Sequence, residues 1–292
     1  MKPEDLPIVA LWSGTGPRGE VGVRSFLSAV ILLCALASPA WAAPRRIVSL
    51  DYCADQFVLA LADRDQIAGV SRNAERDDSY FRARAGGLRK VRPTLEEVLA
   101  LRPDLIVRNF GGAYDAAHVY GRFHVPVLHV GDVSTFAGAR ADVLRTAVAM
   151  GHAERGAAIA RDLDLRLARL RAYAPRVAPP VMYLSSGGAV AGRGVMTNAV
   201  MEAAGARDVR TDASWTVLPL ERLVQAPPAL IATAFFETGR TRMDAWSPAR
   251  HPAMQAMLAH TRTVALPAGA VSCEAWTAID AAETIAAALR RS

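Results

Sequence analysis

"RRIVSLDYCADQFVLALADRDQIAGVS", residues 45–71, decides the fold. Ile47, Val48 and Leu50 form a short apolar strand that runs into an Asp-Tyr-Cys turn. Phe57, Val58, Leu59 and Leu61 follow at helical density, and 67–70 is a second short apolar strand. Strand, helix and strand within so few residues predict a β-α-β unit and a parallel sheet. The unit starts at residue 45, so the residues before it need a separate reading. The turn at Asp51, Tyr52 and Cys53 lies just past a strand, where open α/β sheets bind their ligands.

Residues 24–42, "RSFLSAVILLCALASPAWA", carry Arg24, an apolar core from 26 to 36, a Pro39 breaker and the small-x-small triplet Ala40-Trp41-Ala42. This is the pattern of a secretory signal cut before Ala43; the apolar run is short for a membrane span. Leu33 before Cys34 is too bulky for a lipoprotein signal, so the expected product is a soluble exported protein without a lipid anchor. Residues 1–23 contain Pro3, Pro7 and Pro17 and precede the signal oddly; a start at Val21 or Val23 would remove them. "GTGPRG" at 14–19 matches a dinucleotide fingerprint only formally, with Pro17 inside it and no strand-turn-helix context.

Net charge is +6, but the basic residues are scattered, so no stripe for nucleic acid is present. Hydrophobic residues make up 52%, enough for a substantial core. With the signal removed, Cys53 and Cys273 remain, and neither belongs to a CxxC pair. Export permits one disulfide.

The β-α-β grammar continues. "TLEEVLALRPDLIV", 94–107, opens with a capping pattern, Thr94 and Glu97, and passes Pro103 into a strand. "VPVLHVG", 125–131, is another strand. The 136–176 segment reads as a connector built on a long amphipathic helix, with Ile159, Leu163, Leu167 and Leu170 at three- and four-residue steps. Prolines 175, 179 and 180 end it. A second alternating segment follows: "VMYLSS", a turn-rich loop at 187–194, a helix ending at Gly205, "LPLERLVQAPPALIA", "RTVALP" and a closing helix. The expected architecture is α/β, with two Rossmann-like lobes at 43–135 and 177–292 joined by one long helix, and a ligand cleft between them.

These stretches together, "RRIVSLDYCADQFVLALADRDQIAGVS", "TLEEVLALRPDLIV", "GRGVMTNAVMEAAGARDV" and "LPLERLVQAPPALIA", resemble the periplasmic substrate-binding proteins of ABC importers for ferric siderophores, haem and cobalamin. The resemblance covers nearly all of 45–290. It implies the class III periplasmic binding fold, a monomer, a metal chelate as cargo and an inner-membrane ABC permease as partner. The chelate carries its own metal, so neither protein metal ligands nor a cofactor is expected. Glu96 and Glu221 fall where the family places one acidic residue per lobe to dock on the permease. Trp215, read in a loop after "RTDAS", aligns with an aromatic that contacts cobalamin in one member, whereas the positions of the other contacting aromatics hold Asn73 and Lys90. With Arg72 nearby, that loop favours an anionic iron chelate over a corrinoid.

The candidate ligand-binding residues are therefore Tyr52, Cys53, Arg72, Lys90, Trp215 and Trp276, with Arg193 as a further cation. Cys53 and Cys273, one per lobe near the cleft, are read as a disulfide, as free thiols or as a thiolate contact to the cargo's metal. His118, His124 and His129 raise a bare-metal site or a metal-delivery role, but they span a helix end, a loop and a strand. Nucleophile-elbow, HExxH and phosphate-loop motifs are missing from the sequence, so no enzyme is expected. An exported hydrolase using Ser185 or Ser186 is the distant alternative.

Overall fold

The computed structural model describes residues 43–210, 212, 213, 215–217, 228–235 and 251–291. The signal-like segment 1–42 and the stretch that carries Glu221 lie outside the described residues.

Ile47–Ser49 (β1), Tyr52–Leu61 (α1) and Ile67–Ser71 (β2) form the β-α-β unit read from the opening stretch. Lys90–Val91 (β3), Leu105–Arg108 (β4) and Val127–His129 (β5) complete a parallel five-stranded sheet of order β3-β2-β1-β4-β5. Pro180–Ser185 (β6), Arg207–Asp208 (β8), Leu230–Ala234 (β10) and Thr263–Ala265 (β11) form a second parallel sheet, ordered β11-β10-β6-β8. Ala189–Ala191 (β7) pairs antiparallel with Trp215–Val217 (β9), placing Ala191 opposite Trp215. Trp215 therefore opens a strand, where the sequence reads a loop. A three-residue strand that pairs with a distant one carries too little local period to be seen.

The capping expectation at 94–97 is met: the Thr94 side chain accepts from Glu97 N at the start of Leu95–Leu99 (α2). The amphipathic helix read through Ile159, Leu163, Leu167 and Leu170 forms, but it does not fill the connector. The connector is two helices, Phe136–Ala149 (α4, following Ala116–Gly121, α3) and Ala153–Ala172 (α5), packed on each other. Gly151 separates them at φ +82, just past the last helical turn, and a Cβ there would lie 2.4 Å from the Ala43 side chain. Glycine is the one residue that takes this left-handed position freely.

One buried apolar cluster runs through both halves. It joins Phe57, Leu61 and Val107 to Val143, Leu163, Tyr183, Leu230, Trp276 and Ile285 of the closing helix Ile279–Arg290. Each sheet keeps a smaller cluster on its other face, around Val48 and Ile106 in one and Met182 and Ile231 in the other. A polar link crosses the same junction: Tyr80 Oη donates to Asp280, which with Glu283 accepts from Arg166 of α5. Burial and the Asp280 carboxylate push the Tyr80 hydroxyl up to about 12. Rigid-body separation of the halves would expose this shared core. Among the described residues no helix is long and apolar enough to cross a membrane.

Asp55 tightens the first β-α-β unit. Its carboxyl meets Ser71 N at 2.9 Å and Ser71 Oγ at 2.6 Å, and burial outweighs these bonds, raising it to about 6. The unfolded chain ionises Asp55 near pH 4, the folded protein only near pH 6. The folded state binds more protons in that window, so stability falls as pH rises from about 4 to about 6. Asn at this position keeps an acceptor for Ser71 N–H and a donor for its hydroxyl. Asp55→Asn is expected to remove a fall of roughly 2–3 kcal/mol, measured as the wild-type-minus-variant difference in urea unfolding at pH 4 and pH 7. An unchanged difference between the two pH values would contradict a buried, protonated Asp55.

Candidate functional site

The site starts at the carboxyl end of β1, where Asp51 is 3% exposed. Its Oδ1 accepts from Cys53 N at 3.1 Å and Ala54 N at 2.9 Å, capping α1. Its Oδ2 accepts from Asn109 N, Phe110 N and Gly111 N at 2.8, 3.1 and 2.9 Å. One carboxylate thus satisfies five backbone donors from two β-strand ends, where a helix N-terminus also favours negative charge. Gly111 is required there because a Cβ would sit 2.5 Å from Leu50 O. The Asp-Tyr-Cys turn holds its own backbone with Asp51 and presents Tyr52 and Cys53.

This clamp sets Tyr52 beside Phe110, rings 5.6 Å apart and edge-to-face. Phe110 is 57% exposed. The Arg76 guanidinium lies 4.5 Å from the Tyr52 ring centre and pairs with Asp78 through two bonds of 2.7 and 2.5 Å. Desolvation, then the Asp78 charge, raises the Tyr52 hydroxyl. Sequence reasoning missed both Arg76 and Phe110. The signal was weak: one arginine among several in a polar loop, and one aromatic before a Gly-Gly pair.

The second wall comes from the turn that follows the short helix Ala268–Val271. Tyr52 Oη reaches Ser272 O at 3.5 Å, and Ser272 Oγ donates to Asp78 O at 2.6 Å. Cys53 and Cys273 are joined as a disulfide, 220 positions apart, with Cα atoms 5.4 Å apart. The bond leaves neither sulfur as a free thiol or as a thiolate ligand. Trp215 is 44% exposed and stands edge-on to Tyr183, 5.5 Å between ring centres. A cavity of about 140 Å³ lies between Trp215, Met196, Thr197, Ser272 and Glu274. Burial, then the like charge of Asp132 from the β5 end, raises Glu274.

The structure thus gathers Tyr52, Cys53 and Trp215, and separates other expected residues from them. Trp276, expected at the ligand, is 7% exposed and packs edge-to-face on Phe57 at 4.9 Å; its ring is core between the halves. Lys90, expected to face an anion, gives its ammonium to Ala85 O, Leu88 O and Glu75, so it fastens the 72–90 loop. Arg72 and Arg193 are exposed. Among the described residues Arg72 has no ion-pair or hydrogen-bond partner for its guanidinium. Glu96 is exposed in the first turn of α2, and its charge bears on Tyr120. Ser185 Oγ accepts from Ala189 N in the β6–β7 turn. Among the described residues no three His, Cys, Asp or Glu side chains converge as metal ligands, His118, His124 and His129 included.

The sequence profile of the periplasmic binding protein family matches residues 47–260, most of the chain. The chain belongs to the periplasmic binding protein family. No curated protein matches it in sequence. Among solved structures, it is similar to a periplasmic haem-binding protein of Pseudomonas aeruginosa, with a TM-score of 0.64 and 21% identity, over 85% of this chain and 94% of that one. HutB, the periplasmic haem-binding protein of Vibrio cholerae, gives 0.67 and 19%, over 84% and 98%. BtuF, the periplasmic vitamin B12-binding protein of the same organism, gives 0.65 and 21%, over 85% and 97%. At these identities the likeness establishes the class III periplasmic binding fold; the cargo has to be argued from this chain's own residues.

Proposed function

We propose that the protein is the periplasmic solute-binding component of an ABC importer and that its cargo is a metal chelate, an iron complex foremost. It binds and hands over the chelate without catalysing a reaction. The reading keeps a cleaved signal at 1–42, lobes at 43–135 and 177–292 and a connector at 136–176. One observation carries the cargo class. Phe110, Tyr52, Ser272 and Trp215 follow one another across the junction, so accessible rings from both halves flank the disulfide. Such faces offer large apolar area to a bulky organic chelate. The polar Asn73 and the committed Lys90, at positions where the cobalamin-binding relative has aromatics, favour an iron complex over a corrinoid. A tetrapyrrole is the second reading, since the exposed Phe110 and Trp215 rings also suit a flat macrocycle. Among the described residues Arg72 is an exposed, unpaired cation available to an anionic chelate, with Lys90 held in its own loop and Arg76 already paired with Asp78.

Titration of tryptophan fluorescence with ferric hydroxamate and catecholate complexes, haemin and cyanocobalamin tests the cargo. Trp215→Ala is expected to weaken the bound chelate by roughly 1–3 kcal/mol. Equal affinity in a folded Trp215→Ala protein would reduce Trp215 to a packing residue, and binding of cyanocobalamin alone would move the cargo to corrinoids.

Glu96 and Glu221 remain the proposed docking pair for the permease. Glu96 is exposed, and an exposed single charge contributes little to folding, whereas docking charges set encounter rate and register. The double variant Glu96→Arg, Glu221→Arg is expected to keep chelate affinity and thermal stability while abolishing uptake through the cognate transporter. Normal uptake would sink the docking assignment.

A further inference from the structure

The cavity of about 140 Å³ beside Trp215 is too small for a whole chelate, since sites for complete small molecules run to about 300–1,000 Å³. It has the size for one arm of a larger molecule seated against Tyr52 and Phe110. Its chemistry is one-sided. Glu274 brings a carboxylate that is partly removed from water, and among the described residues no Lys, Arg or His pairs with it. Asp132, which bears on Glu274 from the other half, adds a second negative charge in place of a counter-ion. Ser272 gives its hydroxyl proton to Asp78 O, so toward a ligand its oxygen can only accept. Trp215 adds an indole, the aromatic ring that attracts a cation best. Met196 and Ala278 supply apolar wall. An uncompensated, half-desolvated carboxylate is costly until a cation pairs with it, and an ammonium also satisfies hydroxyl and carboxylate acceptors together.

We infer that this cavity is a side pocket of the cargo site that takes a primary ammonium arm, paired by Glu274 and covered by the Trp215 ring. The inference rests on the chelate-binding reading for its context and narrows the cargo to chelates that carry a free amine. It also changes the expected sign of recognition: the free Arg72 serves one edge of the cargo, while this pocket reads a positive group.

Two probes separate the pocket from the cargo. By saturation-transfer NMR on the oxidised protein, n-butylammonium is expected to bind and n-butanol to bind much more weakly. Glu274→Gln, which keeps size and hydrogen-bonding capacity, is expected to lower the ammonium affinity about tenfold and leave butanol unchanged. Ferrioxamine B, a ferric trihydroxamate with a pendant ammonium, is expected to bind about tenfold tighter than its N-acetylated form, and Glu274→Gln to erase that difference. Equal binding of butylammonium by wild type and variant, or equal binding of the two ferric complexes, overturns the inference and leaves the chelate reading intact. Glu274-dependent binding of butylammonium without binding of any chelate leaves the pocket standing and overturns the chelate reading.

Discussion

Reduction of the Cys53–Cys273 disulfide, or the double variant Cys53→Ala, Cys273→Ala, is expected to cost about 4 kcal/mol of stability. The bond closes a loop across 220 positions, nearly the whole described chain. A crosslink of that span removes much of the freedom of the unfolded chain, and the gain grows slowly with loop length. For a protein of this size, that change lowers Tm by roughly 10 °C. Both cysteines are buried where Tyr52, Asp78 and Ser272 join the halves, so the loss also loosens the site itself. Chelate affinity should therefore fall together with Tm. Circular dichroism melts with and without a dithiol, with the oxidation state read by mass, measure the effect. A protein shown to be oxidised whose Tm shifts by less than about 2 °C on reduction would remove the crosslink from the account of stability.

Asp51→Ala is expected to be comparably damaging, at about 4 kcal/mol. The substitution leaves the amides of Cys53, Ala54, Asn109, Phe110 and Gly111 without their acceptor. Each buried donor left unpaired costs on the order of 1–3 kcal/mol, less wherever water enters the gap. Asp51→Asn discriminates the mechanism. Its amide oxygen can serve one group of donors, but its NH₂ then points at N–H groups that also donate. The asparagine variant should recover less than half of the loss. Tyr52 and Phe110 are set by the same clamp, so chelate affinity should weaken in both variants. Urea unfolding and fluorescence titration measure the two effects. An asparagine variant within about 1 kcal/mol of wild type would mean that the carboxylate's double acceptance is not what holds the turn.

The parts of this protein legible in the sequence are those with a short period or a local cap. Among the described residues, the alternation of strand and helix from 45 to 131 and again in the second half follows from apolar spacing, and Thr94 caps its helix three residues away as its type and position require. The α/β alternation in both halves follows from the order of those elements, whereas the class III fold was implied by the resemblance that the four stretches carry. The same local rule placed Trp215 in a loop and merged two helices at Gly151, because a three-residue strand has no readable period and one glycine does not reveal its φ.

What only the tertiary structure decided concerns direction and distant partners. Tyr52, Cys53 and Trp215 converge, while Trp276, three residues from Cys273, turns into the core against Phe57. Lys90 folds back onto carbonyls of its own loop, and Arg76, four residues from Arg72, is the cation that reaches Tyr52. Asp51, in the stretch that decided the fold, spends its carboxylate on amides up to 60 residues away. Periodicity states which face of an element is apolar. It carries no information about which side chain of another element will meet that face, because such contacts are chosen by packing and desolvation once the two sheets have closed on one core.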